Sequence, residues 1–137
     1  MKLSELKVNS ARAEKGAWVG DIPEMPGLRF KVRGFRNADD KKVLDREMEK
    51  IPARRRRRAK LTDDEQKYIL DVRIKEALLT DWEGLDGDDG NPLPLTPETL
   101  DMVLSDPDYA KLRDSIVWAV SIVAEDDAEA NKDDAKN

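Results

Sequence analysis

Five consecutive arginines, Arg54, Arg55, Arg56, Arg57 and Arg58, extended by Lys60, are the densest charge in this chain. Arginines in such a run neutralise phosphates and release counterions, so nucleic acid is the first partner to weigh. Two features count against it. Five successive residues on a helix cover more than one turn and cannot all face one groove. No aromatic residues interleave with the arginines to stack bases, and no recognition-helix motif follows. A match with acidic protein surface, in this chain or another, suits the run better than phosphate does.

Catalytic chemistry has little to work with. Histidine and cysteine are both absent, which removes the commonest general base, the thiolate nucleophile and the main zinc ligands. There is no glycine-rich phosphate loop and no nucleophile elbow. Asp86-Gly87-Asp88-Asp89-Gly90-Asn91 has the look of a calcium loop. Counted from Asp86, however, position 5 is Gly90, position 6 is Asn91 and position 12 is Pro97, so the EF-hand pattern fails and a polar turn is expected. Asp63-Asp64 opens a helix, where negative charge offsets the dipole, and Asp126-Asp127 lies near the end of the chain. No catalytic, cofactor-binding or metal-binding residues are assigned, and the expectation is a protein that is not an enzyme.

The aromatic residues are few and their places matter. Trp18 begins a hairpin and is the tryptophan expected to be most exposed. Phe30 lies on the second strand of that hairpin. Trp82 follows a long helix, and Trp118 sits at the margin of the last one. With the five arginines, Trp18, Phe30 and Trp82 make the candidate partner-binding set, because exposed aromatics beside cations form good protein-binding edges. Packing of Trp18 onto the helices is the competing expectation.

These residues need elements to hold them. Leu28-Arg29-Phe30-Lys31-Val32-Arg33 alternates apolar and cationic residues, as a half-buried strand does. Ala17-Trp18-Val19 precedes it across a turn rich in proline and glycine, so a β-hairpin over about 17–33 is expected, its apolar face resting on helices or on another chain. Met1 to Lys15 reads as a short helix or a frayed arm. Asn37 caps a helix carrying Val43, Leu44, Met48 and Ile51, which Pro52 ends. Thr62-Asp63-Asp64-Glu65 is a capping box opening a second helix, expected to run to about Thr80 with Leu70, Ile74, Ala77 and Leu78 on one face. Thr96-Pro97-Glu98-Thr99 opens a short third helix. The fourth should run from about Asp106 to Ala124 with Tyr109, Leu112, Ile116, Val120 and Val123 as its buried stripe. The expected fold is mainly α: one small domain of about four helices with an N-terminal β-hairpin over residues 1–124, then a disordered acidic tail over 125–137.

Charge divides along the same line. Residues 1–61 hold 18 Lys and Arg against 9 Asp and Glu, and residues 62–137 hold 7 against 21. Such polarity steers encounters with charged macromolecules or with copies of the same chain. Basic-to-acidic contact between copies would be heterologous and could build rings or spirals. No apolar run is long enough for a membrane span, and the first ten residues have no export-signal core, so a cytoplasmic location is expected.

Three stretches taken in order resemble the tail assembly chaperones of long-tailed bacteriophages and related prophages. They are Gly16-Ala17-Trp18-Val19 with Pro26 to Arg33 and Asn37-Ala38-Asp39; Leu79-Thr80-Asp81-Trp82-Glu83-Gly84; and Leu95 to Leu100 with Leu104-Ser105-Asp106-Pro107. The resemblance spans most of residues 16–124. It implies a non-enzymatic role: binding the tape measure protein, keeping it soluble, and helping the major tail tube protein assemble around it. It also implies work in the host bacterial cytoplasm, absence from the mature virion, and no cofactor. The alternatives are a small structural virion protein, such as a tail completion or connector protein, and a nucleic-acid-binding regulator.

Overall fold

The computed structural model describes residues 1–58 and 60–125. A 3-10 turn at Leu3–Leu6 and a short helix, α1 (Ser10–Lys15), lead into strands β1 (Ala17–Val19) and β2 (Arg29–Val32). Helices α2 (Ala38–Glu49), α3 (Ala53–Arg57) and α4 (Asp63–Arg73) follow. A π-helical turn at Ile74–Leu78 then delivers the chain into β3 (Leu79–Glu83). Helix α5 (Pro97–Ser105), a 3-10 turn at Pro107–Tyr109 and α6 (Ala110–Ile122) complete the order. The protein is thus mainly helical around a small antiparallel sheet. The acidic tail expected beyond Glu125 lies outside the described residues.

The hairpin forms where the alternation places it, with Val19 opposite Phe30 and Ala17 opposite Val32. It does not stand alone. β3 adds to the other side of β2, so β2 is the central strand of three. Phe30, Val32 and Leu28 turn inward, and α6 packs against β2. Fully buried Phe30, Val32, Ile74, Leu78, Ile116, Val120 and Val123 knit sheet, π turn and α6 into one core.

β3 corrects one expectation. The second helix does not reach Thr80. Its α-helical part ends at Arg73, and from Leu79 the chain is extended and paired with β2. Tyr109 is another correction: it lies in the 3-10 turn before α6 and is exposed, because α6 begins one residue later.

The helix starts behave as their capping residues dictate. The side chains of Asn37, Thr62 and Thr96 accept backbone N–H groups three residues on, from Asp40, Glu65 and Thr99. Thr62 and Glu65 complete a reciprocal capping box, satisfying two donors that a bare helix end would leave open. The N-terminal segment is tied to the far end of the chain: Asn9 N–H donates to the Ala124 carbonyl at 2.7 Å, and Arg12 Nε to the Val123 carbonyl at 2.8 Å.

A groove along the fourth helix

The candidate site is a trough with α4 as its long wall. One recess of about 550 Å³ lies between α2, the end of α4 with the π turn, β3 and the start of α5. A second, about 290 Å³, continues past Tyr68 towards Ile51 and the first turn of α4. Glu47, Lys50 and Tyr68 line both. Lining residues run from Asp64 to Glu76, which at the helical rise is about 18 Å, or three turns.

The floor is aliphatic. Val72, Leu79 and Leu100 serve the larger recess, and Ile51 and Ile69 the smaller. Tyr68 stands between them with 57% of its surface exposed. Here the helical pattern of α4 works in two directions. Ile69 and Val72 turn into the protein, and Tyr68 is left on the open side as a flat amphipathic ring.

The rim is charged but internally matched. Arg46 donates from Nη1 and Nη2 to both Glu76 oxygens at 3.0 and 2.5 Å. Lys75 Nζ reaches Asp101 Oδ1 at 2.7 Å. The Glu47 side chain is almost fully covered, and its carboxylate accepts from Lys50 Nζ at 2.6 Å and Arg46 Nε at 3.2 Å. The hydrogen bond from Arg46 holds the Glu76 carboxyl below its ordinary pKa against a smaller opposing effect of burial. The hydrogen bond from Lys50 does the same for Glu47. Both carboxylates therefore stay ionised near neutrality, and each has a cationic partner. Behind the groove, Asp71 accepts from Lys67 at 2.7 Å and Arg113 at 2.8 Å, and Lys67 also donates to the Leu104 carbonyl, fixing α4 to the last two helices.

The residues expected from sequence to meet a partner scatter. Phe30 is wholly enclosed in the core and offers a partner no surface in this fold. Trp82 is also buried; it lies on β3 and donates from Nε1 to the Leu93 carbonyl at 2.7 Å. Trp18 is half-buried rather than open, with the Arg29 guanidinium 5.2 Å from its ring centre and Arg29 bound to Glu83 at 2.7 Å. The stacked cation shields the ring it contacts.

Arg54 to Arg57 with Ala53 form α3, a five-residue helix after Pro52, and Arg58 caps its end. Arg55 pairs with Glu65, which also belongs to the smaller recess, so α3 adjoins one end of the groove. Arg54, Arg56, Arg57 and Arg58 are exposed and have no ion-pair partner among the described residues. The groove itself escaped sequence reasoning. The available signal was Tyr68, a large aromatic one position off the buried face of a strongly patterned helix.

The aspartates of the calcium-like loop form a turn instead. Gly87 N–H donates to the Asn91 carbonyl, and Asn91 N–H to the Asp89 carboxylate. No group of three metal-ligating side chains occurs among the described residues, and no described helix is long and apolar enough to cross a membrane.

A family model described as the YdaY prophage protein matches residues 35–137. The chain belongs to that prophage protein family. The matched stretch begins at Phe35, after the β1–β2 hairpin, and contains every residue that lines the groove. No curated protein and no solved structure matches the chain.

Proposed function

We propose that this prophage protein is a non-catalytic assembly factor that receives an amphipathic helical segment of a tail protein in the α4 groove. The observation that carries the reading is the trough itself: a wall from Asp64 to Glu76 about three turns long, an aliphatic floor, an exposed Tyr68 at its centre, and a rim on which Arg46, Glu76, Glu47, Lys50, Lys75 and Asp101 are already paired. A helix laid there would bury its apolar face beside rim charges that already have partners in Arg46–Glu76, Lys50–Glu47 and Lys75–Asp101. Tyrosine is among the residue types that most often anchor such contacts. The prophage family and the resemblance to tail assembly chaperones make the tape measure protein the client of choice, with the major tail tube protein as the second partner. On this reading the factor works in the host cytoplasm, holds its client soluble, and leaves before the virion is complete.

Co-expression with the tape measure protein of the same prophage tests the proposal. The two should co-purify, and the soluble yield of the tape measure protein should rise with its partner. A tape measure protein that is equally soluble alone and never co-purifies would exclude the role. Stoichiometric recovery of this chain from purified particles would point instead to a structural virion component.

A further inference from the structure

We infer that a helix seated in the α4 groove runs antiparallel to α4 and carries acidic residues in its C-terminal turn, which Arg54 and Arg58 receive. The inference rests on the reading of the groove as a helix site and adds the charge and direction of what binds there. It begins with an asymmetry between the two ends of the trough. Around the larger recess, Arg46, Lys50 and Lys75 are matched by Glu76, Glu47 and Asp101. Beyond the smaller recess, Arg54, Arg56, Arg57 and Arg58 are exposed, with no ion-pair partner among the described residues.

Two contacts hold α3 at that end. Ile51, in the lining of the smaller recess, is followed directly by Pro52, whose carbonyl accepts the N–H groups of Arg55 and Arg56 at 2.9 and 3.1 Å. From the other side Arg55 pairs with Glu65, in the first turn of α4 and in the same lining. Arg55 therefore marks the face of α3 turned towards the groove. At about 100° per residue, Arg58 falls about 60° from Arg55 and Arg54 about 100°, both on one side, while Arg57 falls about 160° away. Arg54 and Arg58 are also i, i+4 neighbours, so their guanidinium groups share one patch. Two carboxylates one turn apart on a client helix match that spacing.

Direction follows from the helix dipole. The end of the trough beside α3 is where α4 starts, at Asp63 after its cap Thr62. A client antiparallel to α4 brings its C-terminal end, with its partial negative charge and open carbonyls, to the arginines. A parallel client would set its positive end against them.

The same neighbourhood selects protein over nucleic acid. A phosphate chain continuing from the arginines into the smaller recess would meet Glu47, Asp64 and Glu65. Repulsion there offsets the counterion release gained at the arginines. A helix with acid only at its end meets the arginines and lays apolar side chains over Ile51, Tyr68 and Ile69.

The test uses the full chain and three fluorescein-labelled amphipathic helical peptides of about 16 residues, long enough for the groove and one further turn. All share one leucine stripe. The first carries two glutamates in its C-terminal turn, the second carries them in its N-terminal turn, and the third has none. By anisotropy at about 10 mM salt, where the Debye length is about 30 Å, the first should bind about fivefold more tightly than the third. The second should show a smaller gain. Arg54→Ser combined with Arg58→Ser should remove the gain, Arg57→Ser should leave it, and about 1 M salt should erase it. Equal affinity of the three peptides, a gain that survives the double variant, or an equal loss in Arg57→Ser overturns the inference. So does a second peptide that binds better than the first. The groove reading survives each of these results if Tyr68→Ala weakens the third peptide. Binding of none of the three, or a third peptide indifferent to Tyr68→Ala, removes the groove reading and the inference together. A single-stranded oligonucleotide bound at about 0.15 M salt more tightly than the first peptide, and lost in the double variant, would assign the arginines to nucleic acid instead.

Discussion

Asp40 and Arg73 form a two-bond ion pair inside the protein, Arg73 donating from Nε to Oδ1 and from Nη2 to Oδ2, each at 2.7 Å. Asp40 has no exposed surface. It also accepts the backbone N–H of Arg36 at 2.7 Å, at a residue held with φ of 66°, and the Arg73 guanidinium lies 5.2 Å from the centre of the Phe35 ring. One carboxylate thus fixes the turn entering α2, the side of α4 and the aromatic residue between them.

Burial alone would raise the Asp40 pKa, but the hydrogen bonds from Arg73 and the Arg36 backbone outweigh it and hold the carboxyl below the usual range. In the unfolded chain it titrates near the ordinary value of about 4. Just below that pH the unfolded state binds the extra proton, so this contribution to stability is complete above about pH 4 and is lost as pH falls through the lower folded value. Asp40→Asn should destabilise the protein by about 3 kcal/mol at neutral pH, because it leaves Arg73 without its charge partner. Urea midpoints across pH 2 to 7, a range spanning the usual carboxylate values, should show a shallower acid limb in the variant. Equal limbs would remove Asp40 from the account.

Gly84, immediately after β3, has φ of 84°, and a Cβ there would lie 2.0 Å from the Gly27 carbonyl oxygen. Gly27 has nearly the same φ, 82°, with nothing within 4 Å of its would-be Cβ. The pair separates backbone strain from steric clash. Gly27→Ala should cost about 1 kcal/mol for the left-handed conformation alone. Gly84→Ala should cost about 3 kcal/mol or more, since β3 must also move away from the hairpin loop. Thermal unfolding of the two variants checks the difference.

These residues show what a sequence exposes and what it conceals. Period-two alternation at Leu28, Phe30 and Val32 made β2 legible, and the caps at Asn37, Thr62 and Thr96 made three helix starts legible. β3 was hidden because its inward residues, Leu79 and Trp82, are three apart and continue the helical stripe of Ile74 and Leu78. Strict alternation would send them to opposite faces. A register irregularity between Lys31 and Val32 lets both turn inward, as a bulge does. Asp40 and Glu47 read as the polar side of a helix, since Arg73 lies 33 residues beyond Asp40. The groove was illegible for a similar reason: its walls come from α2, α4, β3 and α5, which only packing brings together.

The capping box of α4 supports the groove's far end. Thr62 Oγ1 accepts the Glu65 N–H at 3.1 Å, while Glu65 Oε1 accepts the Thr62 N–H at 3.0 Å and also binds Arg55. Thr62→Ala should lower stability by about 1 kcal/mol. Because Glu65 is the residue that holds Arg55, the variant should also increase the mobility of α3 amides relative to those of α5, which NMR relaxation can read.

Tyr68 separates folding from binding. More than half exposed, it contributes little to the core, so Tyr68→Ala should change stability by no more than about 0.5 kcal/mol. As the central aromatic of the trough it should matter far more to a bound helix. A buried interface tyrosine is worth about 2 kcal/mol, so affinity for the client segment should fall about 30-fold. Val72→Ala is the useful contrast: Val72 is buried and also packs with Val43 and Ala77, so it should lose stability and binding together. Calorimetric titration with the client segment, alongside urea unfolding of each variant, distinguishes the two patterns. Wild-type affinity in Tyr68→Ala would move the docking surface away from α4 and leave the fold's description intact.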